Sequence, residues 1–167
     1  MSIKLSGGIK LENSGMFGNN AAPTILIRAK NISGGTLARG DVVKWDYTAS
    51  TGTSADRISA TTTTSANDKA VMGMVSHSTH GSNADTVADD TMMWVQIWGP
   101  TTALKVDGTT DIAIGDPLTT FTTAKIAQKG AAAGIFARAL EAYATNDSAG
   151  VIDAFISCFD AGGYTVA

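Results

Sequence analysis

The alternation of apolar and polar positions along the chain divides it into short runs with strand character. Thr24-Ile25-Leu26-Ile27-Arg28-Ala29 is the first, β-branched and apolar. Val42 to Tyr47 reads as a strand with mixed faces, and Arg57-Ile58-Ser59-Ala60 as a short one. Ala70 to Val75 carries Gly73 in its interior, which predicts a bulge or a close backbone approach. Thr91 to Trp98 is the most hydrophobic run, and Gly99-Pro100 predicts its end. Period-two geometry puts Met92, Trp94, Gln96 and Trp98 on one face and Met93, Val95 and Ile97 on the other. Both faces are largely apolar, so burial in a sandwich core or a subunit interface is expected ahead of stacking on sugar rings.

A short phrase organises these runs because it occurs twice, as Leu37-Ala38-Arg39-Gly40-Asp41-Val42-Val43 and as Ile112-Ala113-Ile114-Gly115-Asp116-Pro117-Leu118. Gly-Asp is turn chemistry, the glycine supplying unusual backbone angles and the carboxylate accepting a nearby backbone N–H. Gly40, Asp41, Gly115 and Asp116 are therefore expected to be structural turns. The order that follows repeats as well. Lys125-Ile126-Ala127 aligns with Arg57-Ile58-Ser59, Ala133-Gly134-Ile135-Phe136 with Met72-Gly73-Met74-Val75, and Val151 to Ile156 with Met92 to Ile97. The second copy is shorter between the Gly-Asp and the later glycine, a change that surface loops absorb cheaply.

Local propensity disagrees with this pattern at one place. Ala131 to Ala144 is rich in helix formers. Its counterpart, Met74 to Gly81, is not helical, so strand is expected for Gly134 to Leu140, with tertiary context overriding propensity.

Residues 1–23 differ from the rest, with Gly7-Gly8, Asn13-Ser14-Gly15 and Gly18-Asn19-Asn20 as punctuation and Pro23 at the end. Ile3, Leu5, Ile9, Leu11, Met16 and Phe17 are the large apolar residues there. Two readings stand, an unstructured terminus and an extended arm that orders on a partner. The fold expected is all-β: two tandem, diverged copies of a small β-sandwich or β-barrel-like unit, at 24–100 and 101–167, packed as one body behind an arm at 1–23.

Charged residues make up 16% of the chain, against roughly 25% in average soluble proteins. A neutral surface rich in Thr, Ser, Ala and Gly suits either a protein packed in an assembly or a bland soluble β-domain. The net charge of −3 leaves no basic footprint for nucleic acid. No apolar run approaches the roughly 18–20 residues of a membrane helix. The N-terminus lacks the apolar block of a secretory signal, and a single cysteine, Cys158, excludes an intrachain disulfide. Synthesis in a reducing cytoplasm is expected.

Candidate chemistry is thin. His77 and His80, with Asp85, Asp89 and Asp90, lack the third histidine or cysteine pair that completes a zinc site, so a solvated polar loop is expected and no metal. Cys158 lies far in sequence from either histidine, no Gly-x-Ser-x-Gly elbow occurs, and no phosphate-cradling loop is present. Glu141 is the lone acid of its neighbourhood, so no carboxylate pair is expected. Neither an enzyme nor a cofactor is expected. Arg39-Gly40-Asp41 spells the tripeptide that integrin ligands display on exposed loops, but its echo at Gly115-Asp116 without the arginine favours a structural turn.

The combination of an apolar-x-x-Gly-Asp phrase, a strand of Arg-Ile-Ser or Lys-Ile-Ala type, and Ala-Gly-Ile-Phe-Ala-Arg-Ala-Leu-Glu-Ala resembles the capsid cement, or head decoration, proteins of tailed bacteriophages. The match is clearest at Ile112–Leu118, Gly134–Ala142 and Val151–Ile156, and it covers about 25–157. The family member it resembles is one compact β unit, whereas this chain has two and a Thr-rich insertion. The resemblance implies a virion protein on the outer surface of the expanded head. Its partners would be the major capsid protein and itself, as a homotrimer, with no nucleic acid or membrane. Residues 1–23, Trp94 and Trp98 would be candidate contacts with capsid or sister subunit. The alternative is a carbohydrate-binding or adhesive module on a phage surface or tail, using the Trp94/Trp98 face or the Arg39-Gly40-Asp41 turn.

Overall fold

The computed structural model describes residues 2–5, 9–12, 23–46, 58–78, 86–130 and 133–158. They form β1 (Ser2–Leu5), β2 (Ile9–Glu12), β3 (Thr24–Asn31), β4 (Leu37–Ala38), β5 (Val42–Trp45), β6 (Ser59–Thr62) and β7 (Val71–Ser78). The chain continues through β8 (Thr86–Val87), β9 (Met92–Asp107), β10 (Pro117–Thr120), β11 (Ala127–Lys129), β12 (Ala137–Ala139) and β13 (Gly150–Ser157). No helix occurs among the described residues, and the fold is all-β. Of the strand expected over Gly134 to Leu140, the alanine-rich segment forms only β12, whose residues pair with β10 and β13 on either side.

The strand pairings close on themselves twice. Around the first ring β3 pairs β6, β6 pairs β5, β5 pairs β7, β7 pairs the start of β9, and β9 returns to β3. Around the second, the end of β9 pairs β11, and the ring continues through β10, β12 and β13 back to β9. The result is two small five-stranded barrels that share one strand, and closure removes the edges each sheet would otherwise expose. β9 therefore does not end at Gly99-Pro100, contrary to the turn signal. Gly99 adopts φ +105°, and a Cβ there would lie 2.6 Å from the Pro23 carbonyl oxygen. Pro100 lies just past the last β3 partner, Ile25 opposite Trp98, so its missing N–H costs no ladder bond to β3.

The two rings are copies in their hydrogen bonds. The Gly40 N–H donates to Val75 O and the Val75 N–H to Asp41 O, as Gly115 donates to Ala139 O and Ala139 to Asp116 O. Leu37 pairs Val87 where Ile112 pairs Tyr143. This register refines the internal alignment. Met92–Ile97 does correspond to Val151–Ile156, since Val75 and Ala139 face Val95 and Ala154. Gly73, however, corresponds to Ala137 and not to Gly134, and Ala60 rather than Ser59 corresponds to Ala127. Gly73 is the close approach that its position predicts, for a Cβ there would meet the Gln96 carbonyl oxygen at 2.2 Å. Gly134 (φ +78°) instead lets the second half pass against the Asn67-Asp68 backbone.

One apolar core fills the first barrel, from Leu37, Val43, Met72, Val75, Met93 and Val95 among others. The second core joins Leu104, Leu118, Phe136, Ile152 and Ile156 to Val42, Val71 and Met74, which come from the first half. Each such side chain contributes about 1.5–3 kcal/mol when buried, so these three weld the barrels together. Towards the N-terminus, β1 and β2 pair with each other and β2 with β3. Backbone within the proposed arm is thus strand added beside the first barrel.

Candidate functional site

Both Gly-Asp corners are built alike. The Ala38 N–H donates to Asp41 Oδ2 at 2.8 Å and the Ala113 N–H to Asp116 Oδ2 at 2.7 Å. The next amide closes the turn, Asp41 to Ala38 O and Asp116 to Ala113 O. The two glycines hold φ +89° and +86°, a region costly to any residue with a Cβ.

Their surroundings differ. The first corner inserts into the second barrel, between β9 and β11. The Lys105 N–H donates to Gly40 O at 3.3 Å and the Val42 N–H to Lys125 O at 2.8 Å. Asp41 is consequently 2% exposed and ion-paired with Lys105, with Lys125 Nζ 4.0 Å from its other oxygen. Lys125 Nζ also donates to Thr36 O, clamping the same seam. A buried Asp41 cannot serve as the accessible carboxylate of an adhesive tripeptide. The second corner stays at the surface, where a Cβ on Gly115 would meet nothing and Asp116 pairs with Lys129 at 2.8 Å.

The surface beside the two corners differs in chemistry as well. Arg39 and Ser76 correspond in register to Ile114 and Leu140. Arg39 and Ser76 line a polar cleft of about 260 Å³ with Thr24, Leu26, Gln96, Pro100, Thr101 and Thr102, at the crossing of β9 from one barrel to the other. Around the second corner Ile114 is 71% exposed, Leu140 46% and Val151 50%. Leu140 donates its N–H to Asp153 O, which sets it beside the outward face of β13 that also carries Val151 and Phe155. Turn positions and outward strand positions normally carry polar residues, so three aliphatic ones there mark a patch the sequence pattern could have flagged.

The remaining expected site residues separate. Ile25 pairs Trp98 while Leu26 pairs Gln96, so Ile97 bulges and Trp98 leaves the face that Trp94 occupies. No paired-tryptophan platform forms. Trp98 packs edge-on to Phe155, ring centroids 5.1 Å apart, on the outside of the second barrel. Trp94 is half-buried between Arg28 and His77. Ile3 and Leu5 lie on β1 and Ile9 and Leu11 on β2, whereas Met16 and Phe17 fall outside the described residues, as do His80 and Asp85. No group of three or more metal-binding side chains occurs among the described residues. His77 accepts or donates through Nδ1 to Ser76 Oγ at 2.9 Å. Burial pushes the Cys158 thiol up to about 12, which removes the thiolate a nucleophile needs. Glu141 is committed to the backbone, accepting the Asp153 N–H at 3.0 Å.

No family model and no curated protein matches the chain. Among solved structures it is similar to the N base of head fiber gp8.5 of bacteriophage phi29, at 18% identity and TM-score 0.46, over 81% of this chain and 95% of that one.

Proposed function

We propose that the chain is a structural protein of a tailed-phage head, a decoration protein that binds the outer surface of the expanded shell and ties neighbouring major capsid protein subunits together. The observation that carries this reading is the insertion of the first corner into the second barrel. It makes two small units into one stiff body while the second corner keeps an exposed aliphatic patch. The resemblance of Ile112–Leu118, Gly134–Ala142 and Val151–Ile156 to cement proteins supports the same reading.

The mechanism is mechanical. A shell under internal pressure separates its subunits, and a body bridging two of them resists in proportion to its stiffness and its contact energy. Ile114, Leu140 and Val151 form the contact to the major capsid protein. Three partly exposed aliphatic side chains supply only a few times ~1.5 kcal/mol on burial. Each contact is weak, and a homotrimer makes the attachment effective by holding three contacts at once. The β1–β2 pair adds a further extended contact.

Binding to shells tests this directly. The protein should sediment with expanded cognate capsids and not with immature ones, and should have a trimer's mass in solution. Ile114→Asp with Leu140→Asp should abolish capsid occupancy while the melting temperature is kept. A protein that ignores expanded shells, or a double variant with full occupancy, sinks the reading.

A further inference from the structure

We propose that the cleft beside Arg39 binds the acidic sugar unit of a surface polysaccharide, with the guanidinium on its carboxylate. The cleft lies where β9 leaves the first barrel, and its volume of about 260 Å³ falls just below the roughly 300–1,000 Å³ of drug-sized sites. That is room for a single sugar residue. Arg39 projects from the corner turn, is exposed, and has no ion pair or hydrogen bond among the described residues. Its nearest acid in sequence, Asp41, is taken by Lys105 and Lys125. A guanidinium left unneutralised beside a concave surface selects a planar anion, which it grips through two parallel N–H···O bonds.

The walls choose among carboxylates. Thr102 brings an exposed hydroxyl, Ser76 one that it shares with His77 Nδ1, and Pro100 apolar surface, whereas the Thr101 hydroxyl is taken up by Met74 Sδ and the Ala103 N–H and Leu26 is buried behind them. Hydroxyls beside short aliphatic patches match a sugar ring, which carries polar edges and C–H faces. A peptide's C-terminal side chain would want a deeper apolar pocket. The second corner supplies an internal control, since the same backbone there carries Ile114 and Leu140. The polar cleft is therefore a property of these residues and is not imposed by the fold.

The test uses the intact chain with galacturonate, glucuronate and N-acetylneuraminate as probes, galactose as the neutral control, and a short peptide with a free C-terminal carboxylate. Titration followed by backbone NMR should show saturable shifts around Arg39 and Thr102 with at least one acidic sugar. Galactose should bind at least roughly tenfold more weakly, as expected for loss of a charge-assisted pair. Arg39→Met should weaken acidic-sugar binding by roughly tenfold or more at unchanged melting temperature, and Thr102→Val should weaken it less. Absence of binding by every acidic sugar, equal binding by galactose or by the peptide, or full binding by Arg39→Met overturns the proposal.

Discussion

At Asp41 and at Asp116 the chain makes the same turn with the same backbone hydrogen bonds. The first carboxylate nevertheless faces two lysines of the other barrel at 2% exposure, while the second meets Lys129 at the surface. Equal local geometry therefore does not mean equal worth. What the first corner adds is non-local: its carbonyl and the amide of Val42 complete a seam between β9 and β11. The direct pairing of β9 with β11 at Val106 and Ala127 is extended at that seam by a piece of the first half.

The largest separation between the corners should come from their glycines. At Gly40 a Cβ would lie 2.0 Å from the Ala103 carbonyl oxygen, on top of the φ penalty. At Gly115 only the φ penalty applies. Gly40→Ala is expected to cost about 4 kcal/mol, a large share of a domain's stability, and Gly115→Ala about 1–2 kcal/mol. Urea denaturation of both variants measures the difference. Equal costs would mean that the first corner is not wedged in the seam.

Next in size is the ion pair. Asp41→Ala leaves the Lys105 ammonium and the Ala38 amide without their acceptor. Breaking a buried pair costs roughly 3–5 kcal/mol, and because Lys105 is 34% exposed the lower end is expected. Asp116→Ala should lower the melting temperature far less. Sodium chloride sharpens the contrast, for screening weakens the surface pair while leaving the buried one largely intact. If both substitutions cost the same and respond alike to salt, the carboxylates act through their turns alone.

These environments mark what could be read from the residues. The doubled Gly-Asp phrase, the strand runs and the Met92–Val151 alignment were legible because each depends on neighbours in sequence. Four features were not. Lys105 and Lys125, the partners of Asp41, lie far along the chain, and no local pattern links them. Gly99-Pro100 carries the residues that usually end a strand, yet they let β9 continue, the glycine by yielding space to Pro23 and the proline by sitting past the end of β3. The Ile97 bulge turned Trp98 off the face of Trp94, because one extra residue reverses period-two parity. The aligned glycines misled for a related reason. Gly73 and Gly134 both accommodate a close backbone, but against different neighbours, so they occupy different places in their units.

The smallest expected effect is also the one whose sign is most specific. The hydrogen bond from Lys129, and then the Ala113 amide, hold the Asp116 carboxyl below its ordinary value. A depressed folded-state pKa means that the stabilisation is complete above the unfolded pKa of about 3.9. It is lost as the pH falls through the lower folded value. Wild type and Asp116→Asn should therefore differ in melting temperature at about pH 6 and converge as the pH drops below about 4. Lys129→Met should shrink the gap, because the largest cause of the depression is then gone. Calorimetry of the three proteins across that range is the measurement. A gap that stays constant down to the acid limit would show that Asp116 contributes nothing through its charge, and that the Ala113 turn alone distinguishes it from asparagine.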